Sequence, residues 1–365
     1  MKKIVFRVDS GNHIGIGHVM RCLTLAQKLK ENHFDIYFLT KNHVGFSEKL
    51  FADHFPVKVL DCGVQRPLTL QEKADYKEWL GQSLEDDLKQ TNLFIKDIGG
   101  VDLLIVDHYS LDENFEESVH AQKVMVIDDL MNRKHSCDLL VDQNITANIE
   151  SYKLLSKKKE THFLMGPSFA LLRPEFLKAR NLVKPELFER VVSNILVFFG
   201  GADEEGYTLK LAQSLEAKHF KNYHFTFILS TTHKDYSEMQ LIQKNNPEVL
   251  HLSFAEDFAG LMLSSDLFIG AGGTTSWERA CLGVASAVMA VAENQIGNCE
   301  YLQKSNIAYY LGPATDMNES KWNIFFEEVV TDKKLWNRYR KNSFDLVDGQ
   351  GTQRVVDEIK KVLSC

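Results

Sequence analysis

No two cysteines of this chain stand at C-x-x-C spacing. The six thiols (Cys22, Cys62, Cys137, Cys281, Cys299 and Cys365) are scattered. That speaks against a zinc site or a disulfide frame and reads as reduced cytosolic thiols. Long apolar runs are missing too. Nothing approaches the ~18 uninterrupted apolar residues of a membrane-crossing helix. The first residues open a strand, with no apolar leader and no small-residue cleavage site, so a signal peptide is not expected. Basic excess is also absent: 42 Lys and Arg stand against 50 Asp and Glu, a formal net charge of −8. General nucleic-acid binding needs a basic face. A small phosphate-bearing ligand remains compatible, because helix N-termini bind anions without net positive charge.

Several nucleotide and metal devices are lacking. "GIGHVM" carries Met20 where the third glycine of G-x-G-x-x-G would stand, which argues against a dinucleotide cofactor. No G-x-x-x-x-G-K-[ST] loop is present, so P-loop chemistry is not expected. There is no D-x-D triplet, and His13, His33, His43 and His54 do not fall at metal-ligand spacing. The expectation is a site with no cofactor and no metal, where protein dipoles hold any diphosphate. The lysines at 157–159 read as a solvated linker face.

What is present is an alternation. "KKIVFRV", "FDIYFLT", "VDLLIVDHY", "KVMVIDD" and "CDLLVDQN" are apolar strand patterns. Between them Met20, Leu23, Ala26 and Leu29 recur at helical spacing, and a long polar helix is expected over 69–91. Residues 151–193 break the rhythm. It resumes with "NILVFFGG", "HFTFILSTTH", "DLFIGAGG", "ASAVMAVAENQ" and "IAYYLGP", and the C-terminal stretch looks helical. Near-continuous apolar strands separated by helices imply parallel sheets covered on both faces. A chain of 365 residues is long for one core. The prediction is two Rossmann-like α/β domains, over 1–180 and 190–365, divided near 174–193 and facing each other across a cleft.

Polar and glycine residues gather where these strands end, which is where open parallel sheets bind ligands. The stretches are Gly11 to His18, Asp107 to Tyr109, Asp128-Asp129, Asp142 to Asn144, Gly200 to Asp203, Ser230 to His233, Gly272 to Ser276 and Glu293 to Gln295. Each has a plain reading beside a functional one. Gly11, Gly15 and Gly17 either make a tight turn or let backbone approach a ligand. His18 begins a helix at a strand end, as a structural histidine or as a general base. Asp107 caps the next turn, or it joins Tyr109 in lining the site. In "GGTTSWE" the hydroxyls cap a helix, or with the glycines they cradle a diphosphate. Glu278, one turn into that helix, is either solvated or within reach of a sugar diol.

Taken together, "RVDSGNHIGIGHVMRCLTLA", "LLIVDHY", "IDD", "CDLLVDQN", "GPSFALLRPEF", "FFGGAD" and "GGTTSWE…ENQ" resemble the UDP-sugar hydrolases of the pseudaminic acid pathway, the PseG family. The resemblance runs over nearly the whole chain, in order. The glycine turn with its glutamate is shared with MurG-like glycosyltransferases, and "AGGTTSWE" is more glycine-rich than in some members of the family. The family implies a glycosyltransferase-B-like fold with UDP held mainly by the second domain. It implies release of UDP from UDP-2,4-diacetamido-2,4,6-trideoxy-β-L-altropyranose by water attack at the anomeric carbon, with inversion and without a metal. It places the reaction in the cytoplasm, on the way to a flagellin or surface glycan. By matching motifs, His18 would be the base, with Tyr109 and Asn294 at the sugar. Gly15, Gly17, Arg173, Gly201, Gly272, Gly273, Thr274, Glu278 and Gln295 would bind the substrate or its UDP. Asp107, Asp128 and Asp129 are the carboxylates that could assist His18. A MurG-like transferase using a UDP-sugar donor is the competing enzyme, and a nucleotide-sugar-binding regulator is the competing non-enzyme.

Overall fold

A computed structural model describes residues 1–12, 14–48, 51, 54–62, 72, 75–201, 203–215 and 221–364. The chain divides into two units, Met1–Leu171 with Gln350–Cys365, and Leu172–Gly349. The first holds a seven-stranded sheet in the order β3-β2-β1-β4-β5-β6-β7. Its strands are β1 (Lys3–Val8), β2 (Asp35–Lys41), β3 (Val57–Leu60), β4 (Val101–Asp107), β5 (Ala121–Ile127), β6 (Leu139–Asp142) and β7 (His162–Met165). The second holds β8 (Asn194–Phe198), β9 (His224–Ile228), β10 (Val249–Leu252), β11 (Leu267–Ala271), β12 (Ser286–Ala290) and β13 (Tyr309–Pro313), ordered β10-β9-β8-β11-β12-β13. All pairings are parallel.

The apolar runs account for this. Along β1, Ile4, Phe6 and Val8 enter one core while Val5 enters the other, the period-two alternation of a strand covered on both faces. In the second unit Ile195, Val197, Phe225, Phe227, Leu267 and Ile269 share a core with Trp322, Phe325 and Trp336. Strand order reverses between β1 and β4, and again between β8 and β11. These are the switch points at which connections leave in opposite directions and open a crevice beyond the strand ends. Gly11, Gly15, Gly17 and His18, with Asp107 to Tyr109, flank the first. Gly200, Gly201 and Asp203, with Gly272 to Ser276, flank the second.

The bounds of the units differ from those expected. The second begins at Leu172, ahead of the predicted 174–193, and the final helix, Gly351–Ser364, belongs to the first unit. Its stripe of Val355, Val356, Ile359 and Leu363 is buried with Val19, Cys22 and Ala26 of the helix Gly17–Glu31. A helix goes where its apolar stripe is matched, and chain order does not reveal that. The alternation also lasts longer than expected. A helix at Ile149–Leu155 and β7 fill the first part of the stretch read as irregular. Over the expected 69–91 helix, a 3₁₀ turn at Tyr76–Leu80 precedes a helix at Leu84–Asp97, whose start is capped by Ser83 Oγ accepting from the Asp86 N–H at 3.1 Å. Residues 69–71, 73 and 74, with His13, Ala202 and Cys365, lie outside the described residues. Among those described, no helix is long and apolar enough to cross a membrane.

Candidate active site

The loop after β1 is built on its glycines. Gly15 sits at φ +78°, and its N–H returns to the Gly11 carbonyl at 2.7 Å, closing the turn. A side chain at that backbone angle would be strained. Gly17 is the first residue of the helix Gly17–Glu31 and His18 the second. Ile16 precedes them and caps nothing with its side chain, and no acid lies in the first turn. The helix start is therefore open to an anion.

His18 is bound to the end of β4. Its Nδ1 lies 2.6 Å from Asp107 Oδ1, and Arg21, one turn along, donates Nε to Oδ2 at 2.6 Å and Nη2 to Oδ1 at 2.7 Å. Asp107 is buried. Burial pushes its carboxyl up, but Arg21 and His18 outweigh that and hold it below the usual carboxylate range. An ionised carboxylate only accepts. Nδ1 therefore carries the proton, and Nε2 is the nitrogen with a free lone pair. The expectation that Asp107 caps the next turn is corrected: both of its oxygens are taken by His18 and Arg21 of the helix Gly17–Glu31. The His18 side chain is 11% exposed, so the ring stays in reach of solvent.

A second carboxylate completes the group. Arg21 Nη1 lies 2.7 Å from Asp129 Oδ2, and the Tyr109 hydroxyl donates to that same oxygen at 2.8 Å. Tyr109 stacks edge-on against the His18 ring, with centroids 4.7 Å apart. Its hydroxyl proton is committed to Asp129, which leaves the ring as the part that meets His18. Tyr76 and Trp79 of the 3₁₀ turn pack on the Tyr109 ring at 5.0 and 5.7 Å. Sequence reasoning did not find Arg21, Tyr76 or Trp79. Arg21 sits three residues after His18 inside "GHVMRC", and that helical spacing was the available signal. The turn holding the two aromatics has no periodicity to mark it.

Behind this lies a buried polar layer. Asp9, at the end of β1, is held by Arg7, by the Lys41 N–H at 2.8 Å, and by His43 and His108 at 3.2 and 3.1 Å. Burial lowers His108 to about 4, so it stands there as a neutral ring. Asp128 pairs with Arg133 at 2.6 Å, which leaves it as a structural ion behind the site. The Tyr152 hydroxyl lies 2.8 Å from Asp128 and 2.9 Å from Asp142. One hydroxyl proton cannot serve two carboxylates. Burial first, and then the charges of Asp129 and Asp128, raise Asp142 to about 8, so it holds its proton at neutral pH.

In the second unit the two switch-point turns differ. After β8, Gly200 (φ +113°) and Gly201 lead to Asp203, whose carboxylate accepts from the N–H groups of Tyr207 and Thr208, both at 2.9 Å. That helix start is already filled by an anion, so Gly201 lies in a turn that offers a phosphate little. After β11, Gly272 and Gly273 lead to the helix Thr275–Leu282, where Thr274 makes no side-chain cap. This start is open. Gly272 leaves no room for a side chain, since a Cβ would fall 2.1 Å from Cys299 Sγ. Gln295 Oε1 accepts from the Val291 N–H at 3.1 Å, and its Nε2 would lie 3.5 Å from a Cβ at Gly273. Asn294 is half-buried in the same turn, Glu293–Gln295, after β12. Glu278 is not solvated: Arg173 Nη2 and Nε both donate to its Oε1, at 3.1 and 3.3 Å. The structure thus joins His18 with Tyr109 and Asp107 in one unit, and Arg173 with Glu278 and Gly273 with Gln295 in the other.

Solved structures similar to this chain match it over nearly its whole length. MurG of Acinetobacter baumannii matches with a TM-score of 0.63 at 18% identity, over 99% of this chain and 100% of that one. Medicago truncatula UGT71G1, solved with UDP-glucose, matches with a TM-score of 0.66 at 10% identity, over 99% and 98%. The chain has a glycosyltransferase-B fold. No family profile matches it. Relatives by sequence include an uncharacterized protein of Methanocaldococcus jannaschii, MJ1062, 23% identical over all of this chain and 67% of the relative. The spore coat polysaccharide biosynthesis protein SpsG of Bacillus subtilis is 22% identical over 95% of this chain and 94% of its own. The UDP-2,4-diacetamido-2,4,6-trideoxy-beta-L-altropyranose hydrolase of Campylobacter jejuni is 24% identical over 83% and 96%.

Proposed function

We propose that this glycosyltransferase-B fold hydrolyses a UDP-sugar, and that the sugar is 2,4-diacetamido-2,4,6-trideoxy-β-L-altropyranose. The observation that carries the reading is the His18–Asp107 pair: an imidazole fixed through Nδ1, with Nε2 free, beside an open helix start at a switch point. The name of the Campylobacter jejuni relative supports the choice of substrate.

In this reading His18 Nε2 takes a proton from water as the water oxygen attacks the anomeric carbon. The C1–O bond breaks, its electron pair leaves on UDP, and the proton on His18 later passes to solvent. Asp107 stabilises the imidazolium. UDP leaves without help from a carboxylic acid, so the usual glycosidase carboxylate pair is not required. The helix start at Gly273 to Thr275, where Thr274 makes no side-chain cap, supplies fixed N–H donors to the diphosphate, without a divalent cation. Glu278 holds the ribose, and Asn294 and Gln295 face the sugar side.

The test is incubation with a panel of UDP-sugars and no acceptor. Release of UDP and a free sugar, fastest with the diacetamido-trideoxy-altrose compound, is the expected outcome. A transferase releases UDP only once an acceptor is added, and a binding protein releases none.

A further inference from the structure

Arg173 uses all three guanidinium nitrogens on carboxylates. Nε and Nη2 both reach Glu278 Oε1, at 3.3 and 3.1 Å, and Nη1 reaches Glu175 Oε1 at 2.9 Å. The guanidinium is also pinned against two rings, 4.9 Å from the centroid of Phe176 and 5.9 Å from that of Phe258. It stands at the start of the helix Pro174–Arg180, where a proline fixes the backbone. The cation is thus held before any ligand arrives. Both of its bonds to Glu278 fall on one oxygen. Oε2 takes part in none of the hydrogen bonds among the described residues, while the Glu278 side chain keeps 16% of its surface exposed. A surface ion pair at Arg–carboxylate geometry would ordinarily engage both oxygens, fork to fork.

We propose that Arg173 is a positioning residue for nucleotide binding: it fixes Glu278 by Oε1 and leaves Oε2 to accept a ribose hydroxyl. This rests on the reading that the chain binds a UDP-sugar. The resemblance implied that Arg173 itself meets the substrate; here three of its five N–H donors are committed to carboxylates, and in this proposal it acts through Glu278. Burial favours the protonated form of Glu278, and Arg173 opposes it. The other charged groups acting on this carboxylate are Arg279, on its own helix, and Glu175, on the helix that Arg173 begins. Arg279 favours the ionised form and Glu175 opposes it. Without Arg173, the balance tips toward a protonated Glu278 that accepts poorly.

The experiment is calorimetric titration of UDP between about pH 5.5 and 8.5 with the full chain, its R173M, R173K and E278Q variants, and thermal melts of each. The β-phosphate titrates alike in every variant, so the ratio to wild type is read. E278Q should weaken UDP about ten- to a hundredfold at every pH, the loss of one charged hydrogen bond. R173M should fall away from wild type as pH drops, losing tenfold or more at the acid end and least at the alkaline end. R173K should lie between, since it keeps the charge and loses the fork. An R173M ratio flat across pH would overturn the proposal and leave a plain structural ion pair. If R173M does not fold, R173K matching wild type at every pH overturns it equally. Unchanged UDP affinity in E278Q, or no UDP binding by wild type, would overturn the underlying reading instead, and the role of Arg173 with it.

Discussion

At the scale of single residues the argument turns on which ring nitrogen of His18 is free. Asp107 settles it by holding Nδ1 at 2.6 Å. His18→Ala should lower kcat by roughly 10²- to 10⁴-fold, the usual share of a general base, with UDP affinity kept; single-turnover kinetics and a UDP titration check both halves. Asp107→Ala acts on stability as well. It leaves Arg21 with one carboxylate, Asp129, in place of two, and breaking a buried pair from one side costs up to about 3–5 kcal/mol. Denaturant unfolding of that variant should show the loss, and an unchanged midpoint would contradict the burial of this pair. His18 was legible in the sequence because a glycine loop ending on a helix marks one position. Its partner was less so. Asp107 is 89 residues away, and nothing local distinguishes a carboxylate that caps its own turn from one that reaches another strand's helix. The same holds for Glu278, whose partner Arg173 is 105 residues distant.

At the scale of elements the central strands were legible, and so was the edge strand β13, while the other three edges were not. β1, β4, β8 and β11 read as unbroken apolar runs because both of their faces are buried. β3, β7 and β10 are four-residue strands at sheet edges, with charged or histidine residues in them, too short to show a period. The glycine turn after β11 was read as a ligand cradle, and packing adds a second reason for it. A side chain at Gly272 would strike Cys299 Sγ at 2.1 Å. Gly272→Ala should therefore destabilise by about 1–3 kcal/mol. The clash is with one side-chain atom, so Cys299→Ala should relieve part of it. The double variant should be more stable than the sum of the two singles, read by chemical denaturation as a double-mutant cycle. Additive losses would show that Gly272 is required by backbone shape alone. At Gly270 the obstacle is the Phe198 carbonyl oxygen at 2.0 Å, and no side-chain truncation should rescue Gly270→Ala.

At the scale of the whole molecule, two doubly wound units came through in the strand–helix alternation. The return of the last helix to the first unit did not, because the match between two apolar stripes is a property of the folded surface. The buried proton at Asp142 affects global stability. In the unfolded chain this group ionises near 3.9, whereas in the fold it is raised to about 8 by burial and by Asp129 and Asp128. Between those values the folded state holds the extra proton, so stability falls as pH rises, by up to about 1.4 kcal/mol per pH unit. Asp142→Asn, which keeps an amide in place of the protonated acid, should gain on wild type from pH 4 to 8 and level off above. Parallel stability curves would contradict a proton at that site. The central claim is attack at carbon by water that His18 activates, with the neighbouring carboxylates Asp107 and Asp129 both held by Arg21. It is tested most directly by running the reaction in H₂¹⁸O while following the anomeric proton by NMR before the free sugar mutarotates. The account predicts ¹⁸O in the sugar, none in UDP, and a first-formed anomer of inverted configuration. Label in UDP would mean attack at phosphorus, and a retained anomer would mean a covalent intermediate on the enzyme; either result contradicts the role given to His18.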